Sequence, residues 1–267
     1  MSKAVLYDAT KCIGCRACQV ACKQWNELPG QVTTNRGTYE NPPKLDAYTF
    51  TKIRFTEIQD DGKFQWVFNK LQCMHCEHPA CVEACIVGAL EKRPDGPVTY
   101  DDNKCIGCRY CQVACPFGIP NFEWDKPLPW IRKCTFCADR QSAGLKPACV
   151  TTCPSGALEF GERDDLIAEA RERIAATPGR YVDYIYGEKE VGGTSWLYLS
   201  PVPFEKLGFP SLGSEAVTVN AARAMGAVPP VLLGVAAAMT GIYWLTKRRQ
   251  KISNAEDGGK KKAEVTK

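Results

Sequence analysis

Histidine is almost missing from this chain. Only His75 and His78 occur in 267 residues, and both sit inside one cysteine group. Four thiols already stand there, so an imidazole is expected beside the ligands or at the surface rather than among them. No nucleophile–base pairing, glycine-rich phosphate loop or spare metal triad stands out, and no substrate-transforming site is indicated. The opening "MSKAVLYDATKC" lacks the apolar stretch of a secretory signal, so the disulfide framework of a secreted protein is not expected. The body of the chain also lacks a net charge. Eight of the 34 Lys and Arg and three of the 30 Asp and Glu lie in residues 247 to 267, which leaves 26 basic against 27 acidic residues before them. The formal +4 therefore belongs to a tail, and nucleic acid is not implied as a partner.

Cysteine is present in excess, with 16 residues in four groups and none left over. The first group is Cys12, Cys15, Cys18 and Cys22, and the second is Cys73, Cys76, Cys81 and Cys85. The third is Cys105, Cys108, Cys111 and Cys115, and the fourth is Cys134, Cys137, Cys149 and Cys153. "CIGCRACQVAC" at residue 12 returns at residue 105 as "CIGCRYCQVAC", with only Ala17 and Tyr110 differing. "PACVEACIVGALE" (79 to 91) likewise returns as "PACVTTCPSGALE" (147 to 159). The chain reads A-B-A′-B′, a duplicated module rather than a chance cluster.

Structural zinc uses CxxC pairs and gives no reason for a third cysteine at Cys18 or Cys111 with a fourth after three more residues. The run C-x2-C-x2-C-x3-C is that of bacterial ferredoxins, in which three thiolates hold one 4Fe–4S cluster and the fourth holds its neighbour. Thiolates suit iron because they are soft, anionic and strongly donating. Four such runs, some of them near variants, predict four 4Fe–4S clusters. Each group must borrow its fourth ligand from another, and two pairings are open. Repeat order pairs first with second and third with fourth. Spacing favours a nested arrangement, because Cys85 and Cys105 are as close as in a compact two-cluster ferredoxin.

The nested reading gives four ligand sets. Site A takes Cys12, Cys15, Cys18 and Cys153, and site B takes Cys22, Cys134, Cys137 and Cys149. Site C takes Cys73, Cys76, Cys81 and Cys115, and site D takes Cys85, Cys105, Cys108 and Cys111. Lys11, Arg16, Lys104 and Arg109 place positive charge beside two of the loops, where it either raises a cluster's potential or is simply solvated.

Between Arg223 and Lys247 lie 23 residues without a charge, roughly 34 Å of helix against a hydrocarbon core of about 30 Å. Tyr243 and Trp244 stand where an aromatic belt would lie, directly before "KRRQK". A single transmembrane helix over 223–247 is expected, with a basic tail over 248–267 that is disordered beyond 250. "FTKIRFTEI" (50 to 58) and "KFQWVFNKL" (63 to 71) read as a β-hairpin. Residues 163 to 176 read as a surface helix, 194 to 200 as a strand, and 201 to 222 as a linker.

The fold class is therefore α+β, with two nested ferredoxin-like 2×(4Fe–4S) domains and a C-terminal single transmembrane helix. Residues 1–30 with 120–165 would form the domain of the first and fourth groups. Residues 31–119 would form the domain of the second and third, with the hairpin inserted, and 166–222 a helix/strand extension and linker.

The cysteine order, with the wide "CTFCADRQSAGLKPACVTTC" group, resembles the electron-transfer subunits of complex molybdopterin oxidoreductases. "ACKQWNELPG", "YENPPKLDAYTFTKIRF", "CMHCEHPAC", "CPFGIPNF" and "EVGGTSWLYL" narrow the resemblance to the iron–sulfur (beta) subunit of membrane-bound formate dehydrogenase. That resemblance implies a molybdopterin-containing (Mo or W) catalytic alpha subunit, a membrane cytochrome b gamma subunit passing electrons to quinone, and a membrane lipid environment. A relay in a membrane-bound hydrogenase or another molybdopterin reductase is the alternative. The basic "KRRQK" flank predicts a cytoplasmic C-terminus at the inner membrane and a periplasmic cluster domain. With Cys12 so near the start, export alongside a partner that carries a twin-arginine signal is the expected route.

Overall fold

The computed structural model describes residues 2–60, 62–127 and 129–265. The chain divides into two units, one running to Thr218 and one from Val219 onward.

In the first unit, strand β1 (Lys3–Asp8) is followed by helix α1 (Ala17–Trp25). Strands β2 (Lys52–Asp60) and β3 (Lys63–Leu71) form the expected hairpin, in register from Lys52–Leu71 to Asp60–Lys63. Next come α2 (Ala80–Glu83), β4 (Leu90–Lys92), β5 (Val98–Tyr100) and α3 (Tyr110–Ala114). The short strands β6 (Asn121–Phe122) and β7 (Ile131–Arg132) precede α4 (Ala138–Ser142) and α5 (Ala148–Thr151). Strand β8 (Leu158–Glu162), helix α6 (Arg163–Ala176) and strand β9 (Trp196–Leu199) follow.

The repeat is visible in the pairing. β1 pairs antiparallel with β8 while α1 packs on α5, and β4 pairs antiparallel with β5 while α2 packs on α3. β9 adds to the free edge of β1 in parallel, giving the order β8-β1-β9.

Both faces of this sheet are covered, which explains why "AVLY" and "WLYL" are continuous apolar runs rather than alternating ones. Successive side chains still point to opposite faces. Ala4, Leu6, Leu197 and Leu199 pack against Leu166, Ile167 and Ala170 of α6. Val5, Tyr7, Trp196 and Tyr198 point into the larger core, which includes Cys18, Phe136 and Cys149. Helix α6 occupies the span read from sequence, with Asp164 and Asp165 in its first turn and Arg173 in its last, as its dipole favours. Arg173 ties the helix to β8 by pairing with Glu159 and also pairs within the helix with Glu169.

Two placements differ from the reading by sequence. The segment expected as a linker packs Val202, Phe204, Leu207 and Phe209 into the main core, because its aromatic residues find a greasy floor in Tyr186 and Tyr198. The hairpin packs on the first cysteine loop, with Phe55 and Phe68 against Gly14, and Tyr7 of β1 donates its hydroxyl to the Phe68 carbonyl at 2.7 Å.

The second unit is one helix, α7 (Val219–Val265). Its stretch Val219–Asn254 is long and apolar enough to cross a membrane. Pro229 and Pro230 lie inside it, near the start of the apolar stretch. The helix runs on past residue 250 to Val265.

Candidate iron–sulfur sites

The first and third cysteine groups share a backbone as well as a sequence. Gly14 and Gly107 have φ of 67° and 68°, and Arg16 and Arg109 have φ of 61° and 66°. A left-handed arginine is uncommon. Here it turns the loop so that α1 begins at Ala17 and α3 at Tyr110. Each guanidinium then stacks on an aromatic ring, Arg16 at 4.7 Å over Phe55 and Arg109 at 4.5 Å over Trp124. The lysines before the loops pair instead with carboxylates, Lys11 with Glu159 at 3.1 Å and Lys104 with Asp101 at 3.6 Å. Inside the loops, backbone amides donate to sulfur. Gly14 N–H reaches Cys12 Sγ at 3.5 Å, Gly107 N–H reaches Cys105 Sγ at 3.4 Å, and Phe136 N–H reaches Cys134 Sγ at 3.4 Å. Such donors favour a thiolate over a thiol.

The thiols themselves fall into neighbourhoods. Burial pushes the Cys18 thiol up to about 12, with Lys70 opposing and Cys149, Cys12 and Cys15 adding to the rise. Cys12 is also raised by burial and feels Cys153 and Cys15. Burial takes Cys22 to about 12 against Lys70, with Cys149, Cys137 and Cys18 beside it. Cys134, also buried, is driven well up by burial, then by Cys22 and Cys73. Burial takes Cys81 to about 12, and its neighbours are Cys73, Cys115 and Cys111. Cys111 rises to about 11, again mainly by burial, next to Cys108, Cys105 and Cys85.

Crowded, buried thiols of this kind resist ionisation unless positive charge sits among them, and a coordinated metal supplies that charge outright. Two sets of four thiols each share a cavity: Cys12, Cys15, Cys18 and Cys153 line one, beside Tyr7 and Ile53, and Cys22, Cys134, Cys137 and Cys149 line another, beside Lys70 and Trp196. Among the described residues no three of the His, Cys, Asp and Glu side chains converge as the ligands of a single ion do. Those eight thiols stand around shared cavities instead, and the donor set fits an iron–sulfur cluster.

The two histidines part company. His78 is exposed. His75 is fully buried, its ring stacked at 4.8 Å on Phe136. Its Nδ1 accepts the Val98 N–H at 2.9 Å, so the proton is on Nε2, which has no partner among the described residues. Burial first, then Lys133, Lys92 and Lys70, hold its pKa well below the usual imidazole value, so it is neutral.

Sequence reasoning passed over Lys70. This residue is 1 % exposed, and its Nζ donates to Thr51 Oγ1 at 2.7 Å and Gln72 Oε1 at 2.9 Å. The same Nζ lies 4.3 Å over the Trp196 ring. Burial lowers its pKa, but Cys149, Cys18, Cys134 and Cys22 outweigh that and the net shift is upward. The signal available in the sequence was a lysine among apolar residues at the inner end of "KFQWVFNKL".

Residues 11–89 and 64–163 each match the 4Fe–4S dicluster domain. A protein of Nitratidesulfovibrio vulgaris is 45% identical over 96% of this chain and 70% of its own length. The nitrate-inducible formate dehydrogenase iron–sulfur subunit of Escherichia coli K12 is 42% identical over 73% of this chain and 67% of its own. The hydrogenase-2 operon protein HybA of Escherichia coli O157:H7 is 35% identical over 97% of this chain and 88% of its own. With two dicluster domains, sixteen cysteines and relatives of this kind, the chain belongs to the family of formate dehydrogenase iron–sulfur subunits and transfers electrons through four 4Fe–4S clusters.

Proposed function

We propose that this chain relays electrons between a molybdopterin (Mo or W) formate dehydrogenase catalytic subunit and a membrane cytochrome b that serves quinone. Each cluster, when bound, supplies a one-electron carrier. The chain's own part is to hold the sites in line. Their ligands are the nested sets: Cys12, Cys15, Cys18 and Cys153 at A; Cys22, Cys134, Cys137 and Cys149 at B; Cys73, Cys76, Cys81 and Cys115 at C; Cys85, Cys105, Cys108 and Cys111 at D. The observation that carries this reading is the order of thiol neighbourhoods. Cys18 of A neighbours Cys149 of B, Cys134 of B neighbours Cys73 of C, and Cys81 of C neighbours Cys111 of D. The sites thus follow one another as A-B-C-D.

The nested ferredoxin-like domains are supported by β1 pairing with β8 and β4 with β5. Helix α7 then anchors the chain in the inner membrane, with the cluster body periplasmic. Lys247 lies 5.0 Å over Tyr243 and Arg248 5.5 Å over Trp244, a pairing of belt aromatics and basic residues that suits the cytoplasmic interface.

A Cys153→Ser variant tests the ligand sets. It should damage the cluster signal that Cys12→Ser also damages, although the two residues are far apart in sequence. Damage confined to the signal that Cys134→Ser affects would overturn the nested sets. A relay in a hydrogenase is the second reading, favoured by the HybA match over 97% of this chain against 73% for the formate dehydrogenase subunit. The large subunit that co-purifies, and whether formate or hydrogen reduces the clusters, separates the two.

A further inference from the structure

A buried ammonium needs an anion, because removing a charge from water is costly unless it is paired. Lys70 has none of the ordinary kind. Among the described residues no carboxylate lies within salt-bridge distance of its Nζ, and its partners are a hydroxyl, a side-chain amide oxygen and the face of Trp196. The groups around it that become anionic on ligating iron are cysteines: it lines the same cavity as Cys22, Cys134, Cys137 and Cys149 of one site, and Cys18 of the other packs in one core with Cys149 and Trp196. Other buried lysines are differently placed. Lys52 pairs with Glu40, and Lys133 donates to the Val98 and Cys134 carbonyls.

We propose that Lys70 is the counter-charge shared by sites A and B, and that it raises the reduction potentials of those two clusters and not of the other two. The inference rests on the ligand sets proposed above. Net charge near a cluster is one of the levers on its potential, and a fixed cation favours the added electron. Burial keeps that cation from being screened by salt as a surface lysine is. Thr51 and Gln72 orient the ammonium, while Trp196 closes its remaining side and keeps water out. Two adjacent sites would then be biased together by one side chain, without any change of ligand.

The test is potentiometric titration, followed by paramagnetic resonance, of the membrane complex carrying Lys70→Met, Lys70→Gln or Lys70→Arg. Cys153→Ser and Cys22→Ser assign the signals of A and B. With full iron content, the neutral variants should lower the midpoints of both by at least a tenfold change in the reduced-to-oxidised ratio at fixed potential, or 59 mV for one electron. C and D should hold still, and Lys70→Arg should stay near the parent. Unmoved midpoints, or all four moving together, overturn the proposal while leaving the ligand sets standing. Loss of iron from the neutral variants with retention in Lys70→Arg also supports a need for the charge. Loss in all three overturns it. A parent chain lacking iron would instead overturn the reading beneath it.

Discussion

The duplicated loops allow one substitution to be made twice in near-identical sequence. Gly14→Ala and Gly107→Ala each place a Cβ on a residue with φ near 67°, at 67° and 68°. The left-handed penalty of about 1–2 kcal/mol is therefore common to both. The surroundings are not. A Cβ on Gly107 meets nothing within 4 Å, whereas one on Gly14 lies 3.1 Å from Phe55 Cε1 and from Phe68 Cε1. Those rings cannot swing aside freely, since they pack edge to face at 5.0 Å with the Arg16 guanidinium stacked on Phe55. Overpacking of this kind costs about 1–3 kcal/mol more. In a domain of this size each kcal/mol moves the thermal midpoint by about 2–4 °C, so Gly14→Ala should fall about 2–12 °C below Gly107→Ala. The assay is thermal loss of the clusters' visible absorption at one scan rate, with resonance spectra showing which signal fades first. Equal midpoints, or a lower one for Gly107→Ala, would refute the claim that the hairpin braces the first loop.

Iron and acid-labile sulfide should each approach about sixteen per chain for four 4Fe–4S clusters, and several zinc atoms with little iron would contradict this. Trp196→Ala, at a side chain that is 0 % exposed, should destabilise the body by about 3–5 kcal/mol, measured as the loss of its thermal midpoint. Protease added to intact spheroplasts should degrade the cluster body and spare a tag placed after Lys267, and the reverse pattern would invert the proposed orientation.

Much of this was legible because cysteine spacing and hydrophobic period are local signals. The hairpin, helix α6 and the apolar stretch of α7 lie where alternation, helical pattern and length put them. What escaped is non-local. Strand β1 reads as a short apolar run ahead of a motif, and only β8 and β9, more than 150 residues on, make it the middle of a sheet. The stretch after Ser200 has the proline and glycine of a linker, yet Phe204 and Phe209 are drawn inward by Tyr186. Lys70 could not be singled out either, because a strand-end lysine is ordinarily solvated, and its burial depends on Trp196 arriving from a distant strand.

The central position of β1 also dictates an order of events during synthesis. Strand β1 leaves the ribosome well before its partners and has no edge to join until Leu158–Glu162 and Trp196–Leu199 have been made. Elongation at about 5–20 residues per second leaves it waiting for roughly 10 to 40 seconds. The β4–β5 hairpin, by contrast, closes within a dozen residues. The middle of the chain can therefore organise early, while the N-terminal loop stays open with its thiols accessible to whatever delivers iron. A ribosome that stalls before residue 158 would release a chain with "AVLY" unpaired, an apolar strand edge exposed to aggregation.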